Sequence, residues 1–166
     1  MIPQTEDASG GEAVQGDAAV DPAASQYLTF MLDGEEYGIE ILRVQEIKGW
    51  EETTEIPNTP DYVLGVINLR GAVIPVMDMR RRFGMPPREF GKLTVVIVVH
   101  ADVGDEGKTM GFVVDAVSDV HNIDPASIKP PPDVESSVDT RYIKGLATVD
   151  EQMIILLDLE HVVAEQ

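Results

Sequence analysis

Several residue groups in this 166-residue chain have the types that chemistry requires, and their spacing decides what they can do. Gly107-Lys108-Thr109 matches the end of a phosphate-binding loop, whose backbone N–H groups and lysine cradle a nucleotide. That loop needs a glycine at the position held here by Asp102, and a carboxylate there repels phosphate. It also needs a helix next, to aim its N-terminus at the anion. Met110-Gly111-Phe112-Val113-Val114 reads instead as a strand. The acidic run Asp102-Val103-Gly104-Asp105-Glu106-Gly107 lacks the alternating ligands and terminal Glu of a calcium loop, and reads as a hairpin tip. His100, His121 and His161 are scattered, without metal-ligand spacing. Ser136 and Ser137 stand outside any Gly-x-Ser-x-Gly elbow. With no cysteine, thiolate chemistry and disulfides are excluded. Carboxylates are abundant, but none forms a distinctive pair. The enzyme hypothesis therefore has no candidate site, and no metal or cofactor is expected.

A binding hypothesis has one. Gly65-Val66-Ile67-Asn68-Leu69-Arg70-Gly71-Ala72-Val73-Ile74 runs on into Pro75-Val76-Met77-Asp78. It reads as two apolar strands joined at an Asn-Leu-Arg-Gly corner, where Gly71 can take a positive φ. An arginine held at such a turn is displayed rather than hidden, as a rigid scaffold presents a contact residue.

The elements that would position this corner are strands. Tyr27 to Leu32 places Leu28, Phe30 and Leu32 on one face, and Asp33-Gly34 supplies a turn. Tyr37 to Ile41 and Arg43 to Ile47 follow around a local bend. Asn58-Thr59-Pro60 opens a connection before Val63. Arg80-Arg81-Arg82-Phe83, before Gly84 and Pro86-Pro87, allows at most a short helix or turn. Leu93 to Val99 fits a strand buried on both faces. Met110 to Val114, Ala116 to Val120, Tyr142 to Val149 and Met153 to Leu157 complete the series, with a loop at Pro130-Pro131-Pro132 and a frayed helical end from His161. No stretch keeps helical periodicity for three turns. About ten short strands suggest an all-β sandwich or small barrels, and a pair of barrels fits the count better than one.

Composition narrows the partners. Thirty acidic against twelve basic residues give a formal charge of −18, which repels nucleic acid and anionic membranes. No apolar run is long enough to span a bilayer, and the N-terminus has neither the basic region nor the apolar core of a signal peptide. A cytoplasmic protein, without direct membrane insertion, is the expectation. Residues 1–25 are acidic, rich in Ala and Gly and aperiodic, and read as a disordered tail ahead of a domain over 26–163 and a short end at 164–166.

The ordered motifs resemble one family. Tyr37-Gly38-Ile39-Glu40-Ile41-Leu42-Arg43-Val44-Gln45-Glu46-Ile47, Ile56-Pro57-Asn58-Thr59-Pro60 and the Gly65–Gly71 corner resemble CheW, the chemotaxis coupling protein family. So do Val113-Val114-Asp115-Ala116-Val117-Ser118-Asp119-Val120, Tyr142-Ile143-Lys144-Gly145-Leu146 and Ile154-Ile155-Leu156-Leu157-Asp158-Leu159-Glu160. The resemblance runs from about Gln26 to Val163, in order and with the family's spacing.

The resemblance implies an all-β fold of two intertwined five-stranded SH3-like β-barrels with a shared hydrophobic core and short helical segments. It implies a non-enzymatic adaptor that couples the cytoplasmic tip of chemoreceptors to the regulatory domain of the histidine kinase CheA. Such an adaptor works in the cytoplasm, recruited to membrane-associated receptor arrays. Receptor-facing positions carried over from the family fall on Val44, Glu46, Gly65, Arg70, Gly111, Val117 and Val120. Arg70 is expected to pair with Glu46, holding two loops together beside the groove between barrels. The valines would line that groove, while Gly65 and Gly111 would permit close approach or relieve crowding within a barrel. Ile39 and Ile41 are the expected kinase contacts at a barrel end, with burial in the core as the alternative. The expectation is a stand-alone module, neither a CheV protein with its receiver domain nor the CheA chain with its phosphotransfer segment. A scaffold for a different signalling kinase is the alternative, with nucleotide binding at Gly107-Lys108-Thr109 as the more distant one.

Overall fold

The computed structural model describes residues 25–104, 106–131 and 140–164. The tail read over residues 1–25 lies outside these apart from Ser25, as do Ser136, Ser137 and the last two residues. Ten strands are present: β1 Gln26–Leu32, β2 Glu35–Glu40, β3 Val44–Gly49, β4 Val63–Leu69, β5 Ala72–Asp78, β6 Val95–Val103, β7 Glu106–Val114, β8 Ala116–Asn122, β9 Ile143–Val149 and β10 Gln152–Leu157. Two short helices follow the hairpins, α1 Met79–Arg82 and α2 Leu159–Ala164. The strands form two five-stranded sheets, ordered β8-β1-β2-β10-β9 and β3-β6-β7-β5-β4, each the wall of one SH3-like barrel.

The two orders are the same pattern. Replacing β3, β6, β7, β5 and β4 by β8, β1, β2, β10 and β9 turns the second sheet into the first. The chain is therefore two five-strand halves that have exchanged parts. Each barrel takes its opening hairpin (β1–β2 or β6–β7) from one half and its other three strands from the other. In each barrel one parallel pairing joins the halves, β2 with β10 and β5 with β7, against antiparallel pairing elsewhere. The repeat is visible in detail. Gly65, Arg70, Gly71 and Asp78 recur as Gly145, Asp150, Glu151 and Asp158 at one constant offset, and the Thr54–Val66 bridge recurs as Lys129–Leu146.

Burial follows from this exchange. A strand shared between a barrel interior and the space between barrels has no solvent face, so it must be apolar on both sides. β6 shows this: Ile97, Val99 and Ala101 enter the shared core while Val96 and Val98 fill the second barrel. The expected apolar strand is present, although it starts at Val95 and leaves Leu93 exposed. The shared core also takes Leu28, Phe30, Tyr37, Met77, Phe112 and Leu157, drawn from both sheets. The first barrel has its own interior of Tyr27, Ile123, Ala147, Ile154 and Leu156. Phe30 stacks on Tyr37 and Tyr37 on Phe83, a line of rings across the seam. The Tyr37 hydroxyl is held well above the usual phenol range, first by burial and then by Glu35 and Asp33.

The local bend expected after Tyr37 is a 3-10 turn, Ile41–Arg43, at which the chain leaves the first barrel for the second. The return is shorter: Asp115 alone separates β7 from β8.

Candidate functional site

The Asn-Leu-Arg-Gly corner is a two-residue hairpin loop between β4 and β5. Arg70 and Gly71 both have positive φ, 52° and 88°, as a turn matched to the right-handed strand twist requires. Asn68 sets that turn: its Oδ1 accepts the Gly71 N–H at 3.0 Å. The corner is thus rigid, and it holds the Arg70 side chain 78% exposed.

Glu46 lies on β3, in register with Val98 of β6 just past a β-bulge. Its Oε1 is shielded from solvent, and Arg70 Nη2 stands 2.8 Å away. The pair therefore joins the β4–β5 corner to the β3 edge of the same barrel, bringing together the two residues that the sequence pairs. One partner is sheltered and the other open, so a ligand reaching Arg70 competes for a charge already partly engaged.

The remaining residues expected to face a receptor differ in kind. Val44, at the start of β3, and Val117, near the start of β8, are half-buried and pack on the shared core from opposite barrels. Val120, further along β8, is exposed. Gly65 and Gly111 are buried within the second barrel. A Cβ on Gly65 would collide with the Thr54 carbonyl oxygen, at a φ of 143°. One on Gly111 would meet Val96 Cγ1 at 2.8 Å. Both glycines serve close packing inside the barrel, so any effect on a partner passes through the wall they shape. Of the expected kinase contacts, Ile39 is wholly buried in the shared core, with no surface for a partner to touch. Ile41 is half-buried in the crossover turn and packs on that core, and its neighbour Leu42 is exposed.

Leu42 and Val73 are exposed apolar residues that pattern reasoning did not single out. Leu42 breaks the strand alternation at a charged Arg43, a signal available in the sequence. Also unforeseen is the ion pair of Arg80 with Asp115. Arg80 Nε and Nη2 donate to the two carboxylate oxygens at 2.8 and 2.7 Å, and Nη1 donates to the Pro86 carbonyl at 2.8 Å. Burial alone would raise the Asp115 carboxyl. The Arg80 bonds, the Asp33 N–H and the charges of Arg80 and Arg88 outweigh it and hold the group below the usual carboxylate range. Asp78 is driven the other way by its burial, although it caps α1 by accepting the Arg80 N–H at 3.1 Å.

The residues considered for chemistry are placed as structure. Gly107, Lys108 and Thr109 lie inside β7, and a strand rather than a helix follows. His100 packs against Gly107, with Nδ1 2.9 Å from Thr109 Oγ1. His161 Nδ1 lies 2.8 Å from Asp158 Oδ2 beside α2. Among the described residues, no helix is long and apolar enough to cross a membrane.

Comparison with known proteins agrees with this arrangement. The family model described as CheW-like domain matches residues 26–166. The chain is 38% identical over 156 residues to Chemotaxis protein CheW of Klebsiella aerogenes, covering 94% of this chain and 92% of that protein. It is 36% identical to Probable chemotaxis protein CheW of Rhizobium etli, covering 84% and 88%. The crystal structure of the scaffolding protein TtCheW from Thermoanaerobacter tengcongensis superposes with a TM-score of 0.75 at 36% identity, over 90% of this chain and 92% of that one. By matched domain, sequence identity and shared fold, the chain belongs to the CheW-like domain family.

Proposed function

We propose that this protein is a non-enzymatic chemotaxis adaptor, coupling the cytoplasmic tip of chemoreceptors to the regulatory domain of the histidine kinase CheA. It would act in the cytoplasm at membrane-associated receptor arrays. The observation that carries the reading is the Arg70–Glu46 pair: a rigid corner presents an exposed arginine to Glu46, two residues along β3 from half-buried Val44. A helical hairpin offers such a surface an apolar stripe with flanking carboxylates, the helix-in-groove mode of recognition. Val117 and Val120 would meet the same helix from the other barrel. Gly65 and Gly111 would act indirectly, by fixing the barrel wall. The kinase domain would dock at the crossover turn, through Ile41 with Ile39 supporting it from the core. Receptor conformation then reaches the kinase because one adaptor binds both, through two coupled interfaces.

Two binding measurements test this. Size-exclusion chromatography with the CheA regulatory domain of the same organism is expected to give a stable complex. Absence of a complex at tens of micromolar would move the adaptor to a different signalling kinase. In the second, Arg70→Glu is expected to weaken binding of a receptor-tip fragment at least about tenfold, roughly 1.4 kcal/mol. Adding Glu46→Arg should recover part of that loss. Unchanged receptor binding by a folded Arg70→Glu variant would remove Arg70 from the interface.

A further inference from the structure

The chain crosses between its barrels twice, and the two crossings are held unequally. At Asp115 the backbone N–H donates to the Met31 carbonyl at 3.1 Å and the carboxylate accepts the Asp33 N–H at 2.9 Å. Both carboxylate oxygens are also bound by Arg80, whose side chain is only 7% exposed. The other crossing carries a counterpart with its charges reversed. There Arg43 faces Glu40 at 3.6 Å, Asp102 at 3.7 Å and Glu160 at 3.9 Å. Arg80 and Glu160 are each the second residue of the helix that closes a half, and Asp33 and Asp102 lie near the tips of the two opening hairpins. The second cluster is more open, with Arg43 31% exposed and Asp102 and Glu160 more than half exposed, and none of the Arg43 contacts is within hydrogen-bond length, while Glu40 is bound at 3.1 Å by Lys144 instead.

These differences have mechanical consequences. Short charge-assisted bonds on a shielded, forked guanidinium define a single geometry. Long contacts among solvated charges are weak, and salt screens them. We propose that the Arg80–Asp115 crossing is a fixed pivot and the Arg43 crossing a salt-sensitive hinge, so that the barrels shift relative to each other at the Arg43 end. β3 starts beside Arg43, and β8 starts beside Asp115. Movement at the hinge therefore displaces Val44 and Glu46 relative to Val117 and Val120. Arg80, Asp115 and Arg43 are positioning residues for these strands. The hinge stands on geometry alone; its effect on receptor coupling rests on the function proposed above.

The absence of cysteine makes a direct test possible. Spin labels on Gln45→Cys of β3 and Ser118→Cys of β8, both exposed, report the separation of the strands by pulsed dipolar spectroscopy of the full chain. Raising salt from about 50 mM to about 1 M should broaden the distance distribution about twofold. Arg43→Gln should show the same broadening at low salt, and salt should add little more. Arg88→Gln, at the exposed rim of the pivot, should leave the distribution as it was. A distribution equally narrow in every sample, or a salt effect undiminished in Arg43→Gln, would overturn the hinge. Receptor-tip binding is measured on the unlabelled, cysteine-free chain and its Arg43→Gln variant, because both labels flank residues of the proposed receptor face. Binding with a rigid distribution sinks the hinge alone, and a broadening distribution without binding sinks the receptor reading alone.

Discussion

Arg70 and Gly65 lie five residues apart on one hairpin, yet their side-chain positions have opposite requirements. Arg70 is exposed, its backbone is set by Asn68 and Gly71, and its only charge partner among the described residues is Glu46. An ion pair with one largely exposed partner contributes little, but Arg70→Ala also leaves the sheltered Glu46 Oε1 without its charge partner, so the change should cost about 1 kcal/mol of unfolding free energy without loss of the fold. That is why Arg70 variants can be read as binding variants. Gly65 allows no such change. Its φ of 143° disfavours any side chain, and a Cβ would collide with the Thr54 backbone at the bridge to Val66. Neither neighbour is a flexible side-chain end that could move aside. Gly65→Ala is expected to destabilise by about 2–3 kcal/mol through strain and separation of that bridge. Denaturant unfolding would check it, and a loss under about 0.5 kcal/mol would show that the bridge relaxes freely.

Among the elements, the two closing hairpins offer an internal comparison. The β4–β5 and β9–β10 loops have the same length, and in each both residues have positive φ. The first places Gly71 at 88° and the second Glu151 at 68°. A side chain in left-handed backbone costs about 1 kcal/mol, which glycine avoids at the expense of more freedom when unfolded. Glu151→Gly should therefore raise the melting temperature slightly, by up to about 1 kcal/mol of stability. It also removes one of many negative charges from an acidic chain. A drop in stability would mean that the β9–β10 turn is held by contacts of the Glu151 side chain. The hairpin alternation and the Asn-Leu-Arg-Gly corner were legible because side-chain period and turn chemistry are local. The 3-10 turn at Ile41–Arg43 was legible only as a bend. Its apolar residues fit a strand, and packing against the shared core decides otherwise.

Across the whole molecule, the exchange of strands makes the crossings the points at which stability and geometry meet. Removing one partner of the shielded Arg80–Asp115 pair leaves the other buried and uncompensated, so Asp115→Asn should cost about 2 kcal/mol at neutral pH. The dependence on pH has a definite sign. Asp115 has its pKa lowered in the folded chain, so its contribution is complete above the unfolded aspartate value near ~3.9 and is lost as pH falls through the lower folded value. The stability gap between wild type and Asp115→Asn should therefore be constant from neutral to mildly acidic pH and close below about pH 4. Paired urea titrations at several pH values would measure it. A gap that persists unchanged in strong acid would mean that the Asn variant loses packing rather than charge.

Strand count, all-β class, the apolar shared strand at β6 and the arginine-bearing corner follow from the order of residues, because alternation, β-branching and turn types act over a few neighbours. The resemblance of the ordered motifs also supplied the Glu46–Arg70 pairing before any distance was known. Tertiary structure decided the remainder. Whether Val44 faces solvent or core, and that Ile39 is sealed while Ile41 is not, depends on which barrel wall lies opposite. The internal repeat was present in the spacing of Gly65 to Asp78 and Gly145 to Asp158, but Asp150 stands where Arg70 does and most other side chains differ, so the sequence hides it. The exchange of strands places Arg80 and Asp115 in contact across 35 positions of chain. Ion pairs of that kind are set by three-dimensional topology, and no local pattern encodes them.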